Sequence, residues 1–177
     1  CGAGILCVLL GYGFFRLSSF PEKKSAGRIA VVQPSIPQEM KWKSYAWPEI
    51  LQKYMEISRS AARKDVDLLI WPESAYPGIL EGEPERFVRI REFVQKVNTP
   101  LLFGAAKKMG GRYFNTALLL SKDGQGAGEY RKLHLVPFGE YVPLRRYVPF
   151  LSNIVPIGDF TAGTKRVLFP FPKGKGG

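Results

Sequence analysis

The sequence predicts an α/β domain whose sheet mixes parallel and antiparallel pairing, and three observations predict it. Two apolar strand-like runs, at residues 28–33 and 67–71, are each followed by a stretch whose apolar residues recur at helical spacing. After residue 100 the strand-like runs follow one another with only short glycine-containing turns between them, the pattern of hairpins. With 177 residues, 45% hydrophobic and 23% charged, the chain has the composition of one main globular domain.

Taken in order, residues 1–15 (CGAGILCVLLGYGFF) carry no charge and are followed by Arg16. Spanning a bilayer takes about 20 apolar residues. The abrupt start therefore reads as the last part of a transmembrane helix, residues 1–16; a signal-peptide core and a buried core helix are the alternatives. Residues 17–27 (LSSFPEKKSAG) have the composition of a linker. Residues 28–33 (RIAVVQ) read as a buried strand closed by Pro34. In the loop that follows, Trp42 stands between Lys41 and Lys43, as an interfacial or active-site aromatic or as a plain packing residue.

Residues 47–63 place Ile50, Leu51, Tyr54, Met55, Ile57, Ala61 and Ala62 mostly at three- and four-residue steps, an amphipathic helix with Pro48 in its first turn. The strand at 67–71 ends at Trp71-Pro72, so Glu73 stands at its carboxyl end, where α/β folds place their sites, or in a turn as a solvated glutamate. Residues 85–97 repeat the helical pattern until Asn98-Thr99-Pro100 stops it. A strand at 101–106 contains Gly104, and Gly110-Gly111 turns into a strand at 112–121 interrupted by Asn115. That amide either orients site residues or satisfies a neighbouring backbone group. Lys122-Asp123-Gly124 forms a hairpin turn leading to a strand at 129–136, in which His134 is expected to be packed. The long apolar loop 137–160 suits the entrance to an apolar site, a membrane contact or a packed loop, and 166–171 is a last strand.

Lys and Arg number 26 against 15 Asp and Glu, a formal charge of +11. The basic residues are dispersed and no nucleic-acid motif is present, which favours an anionic lipid surface over nucleic acid, with a solvated surface as the alternative. The only cysteines, Cys1 and Cys7, lie in the apolar start, and there is one histidine. Neither a disulfide framework nor a zinc site is expected.

The stretch 130–143 (YRKLHLVPFGEYVP) places Lys132 and Glu140 on one short piece of backbone. A strand-end lysine flanked by carboxylates can hold an oxyanion or relay a proton. Lys132 also reads as an edge-strand lysine that deters aggregation. This stretch resembles the lysine motif of the nitrilase superfamily, in the version carried by the apolipoprotein N-acyltransferases. The stretch 67–74 (DLLIWPES) resembles the strand that ends in the superfamily's catalytic glutamate. The resemblance covers most of residues 28–171 and implies a nitrilase-like four-layer α-β-β-α sandwich, incomplete here, occupying 28–177.

By that resemblance Glu73 is the general base, Lys132 holds the oxyanion, and Trp42, Asn115 and Glu140 support them. Glu73, Lys132 and Glu140 are then expected to converge. The implied reaction passes an acyl group from a phospholipid donor through a cysteine thioester to the amine of a diacylglyceryl apolipoprotein, with no cofactor or metal. The implied location is the bacterial inner membrane, as a multi-pass protein with this domain on the periplasmic side. The superfamily's nucleophile follows the lysine, and no cysteine follows Cys7. The chain thus reads as an inactive fragment, with the nucleophile expected beyond Gly177. A soluble amidase of the same superfamily and a non-enzymatic basic membrane-binding module are the competing functions.

Overall fold

The computed structural model describes residues 2–19, 27–41, 43–76, 78–82, 84–143, 159–171 and 174–176. Helix α1 (Gly2–Ser18) buries none of its side chains. Strand β1 (Ile29–Val31) leads through a short helix, α2 (Gln38–Lys41), and a 3-10 turn at Ser44–Ala46 into α3 (Trp47–Ala62). Strand β2 (Leu68–Ile70), a second 3-10 turn at Leu80–Gly82, α4 (Pro84–Val97), β3 (Leu101–Met109), β4 (Arg112–Leu120) and β5 (Gly126–Arg131) follow. A ribbon of β6 (Phe169–Phe171) and β7 (Gly174–Gly176) ends the chain. No helix among the described residues is long and apolar enough to cross a membrane.

The five strands β1 to β5 form one sheet in chain order. β1, β2 and β3 pair in parallel through helical crossovers, whereas β3, β4 and β5 form an antiparallel meander. This is the mixed sheet that the pattern predicts. Among the described residues the expected sandwich is represented by this sheet and one helical layer, with β6 beside β5, where Phe169 lies over Gly128.

Local sequence explains the helices. α3 begins with a proline in its first turn and Glu49 near its positive end, and carries Arg59 in its last turn. It buries Ile50, Leu51, Tyr54, Met55 and Ser58, one stripe at helical spacing. α4 buries Ile90, Phe93 and Val94 and stops at Asn98, whose φ of 49° leaves the helical region. Both stripes meet one face of the sheet, formed by Leu69, Leu101, Phe103, Leu118 and Leu120. Each fully buried side chain of this size contributes about 1.5–3 kcal/mol. Trp71 is the centre of the core: it is 2% exposed, stacks on Tyr54 with ring centroids 4.9 Å apart, and donates its indole N–H to Ser58 Oγ at 2.8 Å.

Three expectations are corrected. β1 is buried on one side only: Ile29 and Val31, 53% and 72% exposed, point to the sheet face away from the helices, while Ala30 packs against the core and Val32 just beyond the strand is buried in it. The strand expected at 129–136 starts earlier and stops at Arg131. Its ladder ends after the Lys132 N–H bonds to the Asn115 carbonyl; the Leu133 N–H is taken by the Tyr130 hydroxyl and the Val136 N–H by the Glu140 carboxylate, so the chain turns away. His134 is exposed on that turn rather than packed. Trp42 and most of the apolar loop, residues 144–158, lie outside the described residues.

Candidate active site

Three elements bring the site together at one end of the sheet. Glu73 follows the carboxyl end of β2, at the start of a turn in which Ser74 takes a φ of 55°. Asn115 lies on β4 and Lys132 immediately follows β5, bound to Asn115 by its own N–H at 2.9 Å. Glu140 stands on the turn after Lys132, where its N–H bonds to the Val136 carbonyl at 2.9 Å and its side chain returns to the Val136 N–H at 2.8 Å.

Lys132 Nζ lies 2.9 Å from Glu73 Oε1 and 3.1 Å from each Glu140 carboxylate oxygen. Asn115 Nδ2 donates to Glu73 Oε1 at 2.6 Å and to Glu140 Oε1 at 2.5 Å. One ammonium and one amide therefore bridge two carboxylates. Exposure separates the carboxylates: the Glu73 side chain is 59% exposed and the Glu140 side chain 11%, with Lys132 at 27%. Glu140 is thus the buried carboxylate of the pair and Glu73 the exposed one.

The charge states follow from these contacts. Burial opposes ionisation of Glu140, but hydrogen bonds from Asn115, the Val136 N–H and Lys132 outweigh it and hold the carboxyl below its ordinary value. Burial likewise opposes the charge on Lys132, yet its bonds to Glu73 and Glu140 raise the ammonium pKa above the ordinary value. Lys132 is therefore a fixed cation, suited to stabilising developing negative charge rather than to giving up its proton. A cavity of about 380 Å³ opens beside these groups on the sheet face away from the helices, with Ile70, Leu102, Ala117 and Tyr130 among its walls. Among the described residues no group of His, Cys, Asp and Glu side chains is arranged to hold a metal.

Residues 28–165 match the family profile of the carbon-nitrogen hydrolases. The chain belongs to the carbon-nitrogen hydrolase family. Among its curated relatives are the apolipoprotein N-acyltransferases of Geobacter metallireducens, 39% identical over 97% of this chain and 34% of that protein, and of Aquifex aeolicus, 35% identical over 91% and 36%. This carbon-nitrogen hydrolase chain spans about a third of the length of those relatives. The fold is shared with a solved carbon-nitrogen hydrolase from Helicobacter pylori, at a TM-score of 0.57, 21% identity and coverage of 83% of this chain and 48% of that one. It is shared too with an amidase from Nesterenkonia, at a TM-score of 0.55, 18% identity and coverage of 84% and 52%.

Of the residues singled out in the sequence, Glu73, Asn115, Lys132 and Glu140 meet at one place in this carbon-nitrogen hydrolase chain, and Trp42 falls outside the described residues. Two contributors escape sequence reasoning. Tyr130 lines the cavity and pins the turn after Lys132 through its hydroxyl. Gly104 lines it beneath Glu73; a glycine inside an apolar strand is the sequence signal, but which backbone crosses it is not written locally.

Proposed function

We propose that this chain is the catalytic-domain part of an apolipoprotein N-acyltransferase, and the observation that carries the reading is the Lys132 ammonium held between Glu73 and Glu140. The relatives' name, apolipoprotein N-acyltransferase, supports acyl transfer to an apolipoprotein amine; in this proposal the donor is a phospholipid, the acceptor a diacylglyceryl apolipoprotein, and the site of reaction the periplasmic side of a bacterial inner membrane. Glu73 is the general base, Lys132 the oxyanion holder, and Asn115 and Glu140 orient both. The reading calls for a thiol nucleophile, and none of the residues described at this site is a cysteine.

In the first half-reaction Glu73 takes the thiol proton and the thiolate attacks the ester carbonyl carbon of the donor. The carbonyl oxygen becomes an oxyanion facing Lys132 Nζ. The C–O bond of the ester breaks, and the departing alkoxide takes the proton back from Glu73, leaving lysophospholipid and a thioester. In the second, the acceptor amine attacks the thioester carbon, Glu73 removes the amine proton, and the thiolate leaves and is reprotonated. No step requires a metal or a redox cofactor.

The test uses the complete enzyme in detergent or vesicles with a labelled phospholipid and a diacylglyceryl peptide. Wild type should form a hydroxylamine-sensitive acyl-enzyme and transfer the label to the peptide amine. Glu73→Gln should do neither while keeping its fold; normal acyl-enzyme formation by that variant would remove Glu73 from the mechanism.

A further inference from the structure

Between Pro72 and Tyr76 the chain leaves the parallel ladder of β2 on β3 and returns to it, and both points are tied to one residue. The Gly104 N–H donates to the Pro72 carbonyl at 3.3 Å, and the Gly104 carbonyl accepts from the Tyr76 N–H at 3.0 Å. Glu73, Ser74 and Ala75 form an arch over that glycine. The arch is low: a Cβ built on Gly104 would stand 2.7 Å from Glu73 Cα and 2.8 Å from the Ser74 nitrogen. Comfortable carbon contacts are about 3.5–4.0 Å. Both obstructing atoms are backbone, so no side-chain rotation relieves the clash.

The arch also has little freedom to rise. Ser74 already holds a φ of 55°, a conformation that non-glycine residues seldom adopt, and Ala75 and Tyr76 are 1% and 2% exposed, fixed in the core. Glu73 reaches Lys132 at 2.9 Å and Asn115 at 2.6 Å across the sheet, and neither partner is carried by the arch. A lift of the Glu73 backbone is therefore transmitted to these distances.

We infer that Gly104 is a positioning residue of the active site, whose missing side chain sets the height of the Glu73 arch and hence the distance from the base to Lys132. The inference rests on the proposed role of Glu73 as the base. Misplacing a catalytic group by about 1 Å can cost on the order of 100-fold in rate.

The experiment compares Gly104→Ala, Glu73→Gln and Ile90→Val in the complete enzyme, measuring kcat and KM for acyl transfer together with Tm. Ile90 lies in the α4 stripe, and its variant reports what loss of stability does to activity when the arch is untouched. Gly104→Ala should lower kcat about 100-fold with KM unchanged, whereas Ile90→Val should lower Tm and leave kcat unchanged. Full activity of Gly104→Ala beside an inactive Glu73→Gln overturns the inference and leaves the proposed function standing. An active Glu73→Gln overturns that function itself. Should Gly104→Ala fail to accumulate, Pro72→Ala tests the same arch, since it keeps the carbonyl that Gly104 binds but frees the backbone at the arch foot. A drop of about tenfold in kcat with KM unchanged supports the inference, and unaltered kcat defeats it.

Discussion

Lys132 and Glu140 are eight positions apart, yet the Glu140 carboxylate meets both the Lys132 ammonium at 3.1 Å and the Val136 N–H at 2.8 Å, so one side chain closes the turn that carries it and fixes the lysine beside it. Structure and charge are coupled in this turn, and the coupling makes the following outcomes testable.

Replacing Glu140 with Gln keeps the shape but removes a charge from the most buried member of the site. The variant should lose about 1–3 kcal/mol of stability, the usual cost of weakening charge-assisted bonds around a part-buried group. Urea unfolding of the domain measures it, and an unchanged midpoint would show that the turn is held by its backbone bonds.

Lys132→Met should reduce acyl transfer by about 100- to 1000-fold, as expected when a donor to a developing oxyanion is removed. It also leaves Glu73 and Glu140 facing each other without their shared cation. The stability deficit of this variant should therefore be larger at neutral pH than at acid pH, because the Lys132 bond that helps hold the Glu140 carboxyl below its ordinary value is the one removed. Equal deficits at the two pH values would argue that Lys132 does not hold that carboxyl down.

The pH dependence of the intact domain has two limbs. Glu140 and Glu129 are held below their ordinary value of 4.5, so their contribution to stability is present above 4.5 and lost as pH falls through their lower folded values. Lys132 is raised above 10.5, so its contribution is present below 10.5 and lost as pH rises through its folded value. Denaturation midpoints across pH should fall on both sides, and Glu140→Gln should flatten the acid limb. An acid limb of the same depth in that variant would assign it to other carboxyls.

Trp71→Phe should cost roughly 1–3 kcal/mol, because the phenyl ring leaves Ser58 Oγ without its donor in a fully buried position. Ser58→Ala in the same background should recover part of that loss, since the orphaned hydroxyl is then gone. Thermal melts of the single and double variants decide whether the pair is coupled.

The parts of the site that lie on motif strands were legible in the sequence. Glu73 follows an apolar run ended by Trp71-Pro72, and Asn115 breaks an otherwise apolar strand, so each is marked by its local contrast. The end of β5 was not legible. Residues 132–136 keep the alternation of a strand, and only the return of the Glu140 side chain to Val136 makes them a turn. The exposure of β1 was hidden for a similar reason: a β-branched run specifies extended backbone, but not whether anything packs on its outer face. Gly104 marked itself as an oddity in its strand, while its contact with Glu73 depends on a crossing 31 positions away in sequence, counted from 73 to 104.

The order in which the sheet can assemble follows from its mixed connectivity. The β3-β4-β5 meander closes through short hairpins, whereas β2 joins β3 only after the intervening α4 crossover has been gathered in. Asn115 and Lys132 belong to the locally wired part, and Glu73 to the part wired over a longer loop. The folding chain should accordingly set Lys132 in place before Glu73, and pulse-labelled amide exchange should protect Asn115 and its β3 partners earlier than the Trp71 and Tyr76 amides. A newly made domain then passes through a stage with Lys132 in place and no Glu73 carboxylate beside it, and the pairing of β2 on β3 is the event that brings the two together.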